Sequence, residues 1–473
     1  MNDNAKTKDE QPAEGSDEST LTPQASASVT DDSPIKGLPP LSRDRSFIGM
    51  TVTQFLGAFN DNLFKQLLLL IALDYKEMRG LETDPYQTYA TLAFSIPFVL
   101  LSGFGGYVSD KVRKRSVVIF CKMLEILVML AAMIAFFTGT MGAESFIISL
   151  MVVLFFMGAQ SAIFGPSKFG ILPEMLRERD LPLANAIIQM TTFLAIILGT
   201  ALSGVLKDAM PNQLWVISVV CVAIAIAGTC TALLVRKTPI ANPNLKFTAD
   251  CLVVEKEAFR FIRSDGPLMR TMFIYALFWF AGAVIMMSVN SVCRTQLGFS
   301  STVTSLLSTC MGIGIAIGCM VCGKLCKGQV RFDLVRVGAW GLFVATGMAS
   351  TACILPMANG HVQAWMIGGS LLLIGFFAGI FAVPPQVFIQ ARPPEAFKGR
   401  VIGAMALTTW IGICIASGYY FLYTKFAAAT GLVYSWIFLS VGFMFVLVAV
   451  LFRQPNPPVG ESSGKPVVKQ KST

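Results

Sequence analysis

Apolar stretches of about twenty residues recur along the chain, separated by short polar segments. A helix rises 1.5 Å per residue, so about 20 such residues cross a hydrocarbon core of about 30 Å. The pattern predicts an all-α membrane protein with twelve spans. These fall at about 47–73, 87–109, 116–138, 145–166, 183–206, 213–235, 269–291, 302–323, 333–355, 362–383, 401–423 and 432–452. The longest inner polar segment separates six spans from six. The expected division is a tail over 1–45, an N-terminal six-helix half over 46–236, a cytoplasmic linker over 237–268, a C-terminal six-helix half over 269–453 and a tail over 454–473. The linker opens with Pro239 and Pro243. Ala249 to Arg263 is expected to form a surface amphipathic helix.

Span 1 breaks the apolar pattern. Phe59-Asn60-Asp61-Asn62-Leu63-Phe64-Lys65 sits inside the run from Phe47 to Leu73. Asp or Lys at mid-membrane costs about 2.5–3.5 kcal/mol on insertion scales, and by default marks a substrate or coupling site. Asp61 and Lys65 are four apart, so on a helix they share a face, with the acid first, the better order for a pair. Gln54, Gly57 and Ala58 extend that stripe, while Phe55, Phe59 and Leu63 lie off it. The competing reading is a structural ion pair that locks span 1 to a neighbour. Span 3 carries Lys122 and Glu125, three apart on one face and about two turns from the surface. They read either as substrate contacts or as an internal staple between helices. Gln160, Asn185 and Gln189 add polar groups in spans 4 and 5. With Lys168, Gln386, Gln390 and Arg392 they form candidate contacts at the cytoplasmic end.

Composition and charge narrow the class. The chain is 54% hydrophobic and 14% charged, too apolar for an ordinary soluble protein. The net charge of +9 invites nucleic acid as a partner, but the bases sit in short loops between spans, where they set orientation. With the N-terminus in the cytoplasm, inner segments hold 21 Lys and Arg against 5 outside (Lys76, Arg79, Lys207, Arg294, Lys425), so both termini are expected to be cytoplasmic. The first 35 residues hold eight acids and two lysines, lack a signal-peptide apolar core and are expected to be disordered. Lys465, Lys469 and Lys471 in the last segment can touch anionic membrane lipid. Cys319, Cys322 and Cys326 lie on an apolar helix and read as small packing residues. The sole histidine, His361, falls in a loop. No metal or cofactor is expected.

The halves look related. Gly158 and Phe164 in span 4 match Gly375 and Phe381 in span 10, and Thr191-Thr192-Phe193 matches Thr408-Thr409-Trp410. The step in residue number from Phe164 to Phe381 equals that from Thr191 to Thr408, so one constant offset relates both matches. Such a duplication is the organisation of the major facilitator fold, with a site between halves near the midplane. The polar run of span 1 has no counterpart: at the same offset from Asn60-Asp61-Asn62 stands Leu277-Phe278-Trp279. The cavity is therefore expected to be charged on one side and aromatic on the other.

Between spans 2 and 3, Gly106-Tyr-Val-Ser-Asp110-Lys111-Val-Arg113-Lys114-Arg115 resembles the major facilitator signature G-x3-D-[RK]-x-G-R-[RK]. It departs at Arg113, where the family usually has Gly. The resemblance implies a conformational gate, with Asp110 capping a helix end and pairing across to the neighbouring bundle in the outward-open state. After span 8 the equivalent Gly323-Lys-Leu-Cys-Lys327 lacks the acid.

Three further segments resemble bacterial lysophospholipid transporters, and the transporter domain fused to 2-acylglycerophosphoethanolamine acyltransferase/acyl-carrier-protein synthetase. They are Thr53 to Lys65; Phe164-Gly165-Pro166-Ser167-Lys168-Phe169-Gly170-Ile171-Leu172-Pro173-Glu174 with Ala184-Asn185-Ala186 and Thr192 to Ile196; and Val383-Pro384, Gln390-Ala391-Arg392 and Lys398-Gly399-Arg400-Val401. Departures are Pro385 after Pro384, and Ala404-Met405-Ala406 in place of an Asn-bearing stretch. The resemblance implies a carrier moving lysophospholipids, notably lysophosphatidylethanolamine, from outer to inner leaflet of a bacterial cytoplasmic membrane. Reacylation would follow, by a separate acyltransferase since no such segment follows span 12. Asp61 then suits an ammonium, and Lys65 or Lys122 a phosphate. A proton-driven exporter of drugs or metabolites, with Asp61 or Glu125 titrating, is the alternative. An acyltransferase is disfavoured because His361-Val-Gln-Ala-Trp-Met366 lacks the H-x4-D motif. A transport-inactive scaffold is disfavoured by the intact polar stripe.

Overall fold

The computed structural model describes residues 39–81, 85–139, 143–177, 180–211, 213–240, 256–326, 330–355, 360–393 and 395–455. Within helices, the side chains at 181–183, 185, 186, 189, 256–258 and 395–399 lie outside that description. The chain forms α1 (Arg45–Arg79), α2 (Pro85–Lys111), α3 (Lys114–Thr138), α4 (Glu144–Gly170), a single turn α5 (Leu172–Met175), α6 (Leu181–Ala209), α7 (Leu214–Ala232) and α8 (Lys256–Ser264). It continues through α9 (Gly266–Ser291), which runs into a π-helical turn over Val292–Gln296, then α10 (Ser301–Cys326), α11 (Phe332–Ile354), α12 (Gly360–Ala391), α13 (Glu395–Thr430) and α14 (Trp436–Leu451). Eleven helices among the described residues are long and apolar enough to cross a membrane. Span 12, expected over 432–452, is the shorter 16-residue α14, because Gly431 turns the chain at φ 71° and helix resumes only at Trp436.

Local sequence sets the ends. Asp44 caps α1, accepting from the amides of Ser46 (2.9 Å) and Phe47 (3.3 Å). Gly80 ends it at φ 62°, a left-handed value that glycine takes without a Cβ penalty. At 35 residues α1 is about 52 Å long, well beyond the hydrocarbon thickness. The linker helix expected from Ala249 is described only as α8. The segment before Lys256, like the N-terminal 1–38 and C-terminal 456–473 portions of the tails, lies outside the described residues.

One offset relates the two halves throughout. Moving α1, α2, α3, α4, α6 and α7 along by the step that takes Phe164 to Phe381 lays them on α9, α10, α11, α12, α13 and α14. Packing repeats with it. Helix α2 pairs with α4 as α10 does with α12, α1 with α6 as α9 with α13, and α3 with α7 as α11 with α14. Single contacts repeat too. A Cβ at Gly158 would strike the Phe94 carbonyl, and one at Gly375 would strike the Met311 carbonyl, the same pair moved by the same step. Gly105 lies against Ile163, and its counterpart Cys322 places Sγ 3.6 Å from the Ile380 carbonyl. Small residues let helix backbones meet where lipid gives no hydrophobic drive. Across the halves, α6 packs on α10 and α2 on α13, two contacts that exchange under the same offset.

The two ends of the bundle differ. At the end opposite the 106–115 segment, hereafter the far end, Asp74 of α1 pairs with Lys207 of α6 (2.5 Å) and with Arg294 of the other half (2.7 Å). Lys207 also donates to Ser301 (3.1 Å), and Asp208 caps α10 through the Thr302 amide (2.6 Å). One layer inward, Gln66 donates to Asn290 (2.9 Å), which donates to Gln87 (3.4 Å), which reaches Tyr420 (3.4 Å). The halves are thus joined by polar contacts at the far end.

The glycine contacts yield a stability prediction. Gly158→Ala and Gly375→Ala should each force a helix pair apart, costing about 1–3 kcal/mol as overpacking does. Thermal unfolding in detergent should show both midpoints lowered, while Gly369→Ala, with open space beside it, should not lower it.

Candidate functional site

Helix α1 presents each polar residue of span 1 to a different neighbour. Gln54 is buried against α6, donating to Thr191 (2.6 Å) and accepting from Thr192 (2.8 Å). Thr53 meets Thr231 of α7 at 2.9 Å. Asn60 is fully buried toward α3 and α7, donating to Glu125 (3.0 Å) and to the Cys221 carbonyl (3.3 Å). Asn62 donates back to the Ala58 carbonyl (2.7 Å), beside Gly199, where α6 comes close to α1.

Lys122 and Glu125 form a closed pair at 2.5 Å, with side chains only 2% and 1% exposed. The Lys122 ammonium lies over the Phe164 ring at 5.1 Å and fills the space beside Gly57, where a Cβ would collide with it. Glu125 uses one oxygen for Lys122 and the other for Asn60. This network therefore joins α1, α3 and α7, and its charges are spoken for.

Asp61 and Lys65 share a face but do not pair with each other. Asp61 turns to α4, where Ser161 donates to Oδ2 at 2.6 Å and Gln160 in turn donates to Ser161 at 2.8 Å. Oδ1 of Asp61 is buried without a hydrogen-bond partner among the described residues. Lys65 reaches toward α2 and holds its ammonium 5.0 Å from the Phe94 ring centre. Phe94 and Phe98 close onto Trp410 of α13, with the Phe98 and Trp410 rings stacked at 3.8 Å. Lys65 thus rests on the aromatic contact between halves. Lys168, further along α4, lies over its neighbour Phe169 at 4.8 Å. Asp61, Lys65, Ser161, Phe164 and Lys168 are all half-buried. The set offers one carboxylate oxygen and two ammonium groups with no counter-ion within ion-pair distance among the described residues, the complement of a zwitterion.

The remaining expected residues are spread out. Gly106 has open space beside it. Asp110 is exposed near the end of α2, caps no helix among the described residues, and lies 3.9 Å from Lys114 rather than against the other half. Lys114 is buried against Gly170 and pairs with Glu174 of α5. Arg113 precedes α3 at φ −56°, an ordinary value, so this turn needs no glycine. Arg115 donates to the Leu233 carbonyl (3.0 Å), and Lys111 is half-buried. Asp110, Lys114 and Arg115 therefore fasten elements of their own half. Arg392 bonds Asp265 at 2.9 Å, tying the end of α12 to the cap of α9, and Gln390 is exposed. Asn185 and Gln189 lie on α6, with side chains outside the described residues. Sequence reasoning missed Ser161, the Phe94–Phe98–Trp410 contact and the Asp74–Lys207–Arg294 cluster. The last carried a signal: Lys207 and Arg294, read as loop charges, sit at helix ends within reach of Asp74.

Comparison with known proteins fits this architecture. The family model of the Major Facilitator Superfamily matches residues 50–417. The lysophospholipid transporter LplT of Enterobacter sp. (strain 638) is 27% identical over 390 residues, covering 80% of this chain and 89% of that protein. LplT of Escherichia coli O1:K1 / APEC is 28% identical over 380 residues, covering 78% and 87%. Among solved structures, a bacterial homologue of the iron transporter ferroportin in an inward-facing state has TM-score 0.62 at 16% identity, covering 87% of this chain and all of that one. A D-xylose–proton symporter has TM-score 0.63 at 14% identity, covering 89% and 99%. These two share the fold. With six helix pairs repeated at one offset and a family match over most of its length, this multi-pass membrane protein, which resembles bacterial lysophospholipid transporters, belongs to the Major Facilitator Superfamily.

Proposed function

We propose that the chain carries lysophospholipids of the lysophosphatidylethanolamine type across a bacterial cytoplasmic membrane, by rocking of its two halves about the central site. The observation that carries this reading is that one face of α1 holds an Asp61 oxygen without a hydrogen-bond partner and, a turn away, a Lys65 ammonium without a counter-ion among the described residues, both groups half-buried. Asp61 accepts the ethanolamine ammonium, and Lys65, aided by Lys168, holds the phosphate. Charge-assisted contacts of this kind are about twice as strong as neutral ones. The aromatic residues Phe278, Trp279 and Trp410 of the other half offer apolar surface to the acyl chain. The names of the relatives support the substrate class. Both termini face the cytoplasm, and the lysolipid delivered there is reacylated by a separate acyltransferase.

Lys122 and Glu125 have a different role in this scheme. Their pair is closed and buried, so they hold α3 to α1 rather than meet substrate.

Two experiments separate these roles. In proteoliposomes carrying headgroup-intact, chain-labelled lysophosphatidylethanolamine, Asp61→Asn should slow leaflet-to-leaflet movement at least about tenfold, the cost of one charge-assisted hydrogen bond, with unchanged thermal stability. Full-rate movement in Asp61→Asn would remove Asp61 from the site. Loss of wild-type movement on collapsing the proton gradient would favour the exporter reading.

Glu125→Gln should instead destabilise the protein by about 3–5 kcal/mol, because it leaves a buried Lys122 uncompensated. The double change Lys122→Met/Glu125→Leu should recover most of that loss in thermal unfolding. An unchanged unfolding midpoint in Glu125→Gln, with transport lost, would place Glu125 at the substrate instead.

A further inference from the structure

Where α1 begins and the chain leaves α7, the surface has an open depression of about 410 Å³ lined by Arg43, Asp44, Arg45, Ser46, Leu234 and Arg236, with Pro39 at its edge. Its one acid is already committed. Asp44 accepts the two amides that start α1 and pairs with Arg236 at 2.5 Å, and is itself only 1% exposed. Ser46 is engaged as well, accepting from the Arg236 amide at 2.9 Å. That leaves Arg43 and Arg45, both exposed and without an acidic partner among the described residues, so the depression carries an excess of two positive charges. A guanidinium presents paired donors that match the oxygens of a phosphate.

The rim is apolar. Leu233 and Leu234 are 53% and 54% exposed at the end of α7, and Ile48 is 42% exposed one turn into α1. These side chains stand at the ends of two helices long and apolar enough to cross a membrane. A cationic depression continuous with exposed aliphatic surface suits an amphiphile with an anionic head, and basic pockets at the ends of spans take such headgroups.

We propose that this depression binds the phosphate headgroup of an anionic membrane phospholipid, with Arg43 and Arg45 as its ligands and Ile48, Leu233 and Leu234 against its acyl chains. The bound lipid bridges the start of α1, which carries the central site, and the start of the linker between halves. It is distinct from the transported molecule, since the central site lies some four turns further along α1.

The test uses the full chain, purified in detergent and incubated with phosphatidylglycerol, with phosphatidylcholine or with inorganic phosphate, and read by native mass spectrometry. The wild-type chain should retain phosphatidylglycerol, and R43Q/R45Q should retain at least about tenfold less, as expected for losing charge-assisted contacts. Phosphatidylcholine retention should not differ between the two. R331Q, which alters an exposed arginine already paired with Asp333 at 2.5 Å, should retain phosphatidylglycerol like wild type and so report on non-specific charge. Equal retention by wild type and R43Q/R45Q would overturn the proposal. Displacement of the lipid by inorganic phosphate at equal concentration would overturn the lipid assignment in favour of a free-anion site. A wild-type chain that retains no phosphatidylglycerol would also overturn it.

Discussion

A charge within a bilayer has no water to turn to, so it must find an opposite charge, an aromatic face or an internal space. The Lys122–Glu125 pair answers that constraint, and the arrangement of the N-terminal half follows from it. Glu125 takes Lys122 on one oxygen and Asn60 on the other, while Gly57 leaves room for the ammonium. These contacts fix the rotation of α1 about its axis. With Asn60 held toward α3 and α7, residue 61 is turned toward α4 and residue 65 toward α2.

The second half shows that this solution is not the cheapest one. Lys122 and Glu125 map onto Ala339 and Leu342, both buried in the apolar core of that half. Ser161 maps onto Ala378, and Asp61 onto Phe278. The same helix packing therefore stands without a single one of these charges, as expected when a buried ion pair does little better than well-packed apolar side chains. What the charges add is orientation. A duplicated scaffold with polar groups on one side only presents an asymmetric interior, which suits a molecule with a charged head and a hydrocarbon tail.

Under the proposed rocking motion, the contacts between halves decide which side is open. At the far end they are many and polar: Asp74 with Lys207 and Arg294, Asp208 at the start of α10, and the Gln66–Asn290–Gln87–Tyr420 layer. The 106–115 segment behaves differently, since Asp110 and Lys114 bond within their own half. Between the two ends lies the Phe98–Trp410 stack, with Lys65 resting on the same aromatic group. A ligand drawing on Lys65 would act directly on a contact between the halves.

The amino-acid sequence alone determined the spans, the duplication and the position of the costly charges. Hydrophobic length is imposed by the bilayer, and the constant offset between halves shows at Gly158 and Gly375, where each glycine lets a neighbouring helix backbone come close. It also marked Asp61, Lys65, Lys122 and Glu125, since any charge in an apolar run stands out. Partners were not legible. Helical spacing put Asp61 opposite Lys65, yet side chains four apart choose among all the neighbours that packing brings near, and Ser161 and Phe94 are remote in sequence. Span 3 gave Lys122 and Glu125 the same appearance as the span 1 pair, and only tertiary packing closed one and left the other open. Lys207 and Arg294 read as loop charges because the sequence does not say which helix ends meet. That was decided by the docking of one six-helix half on the other.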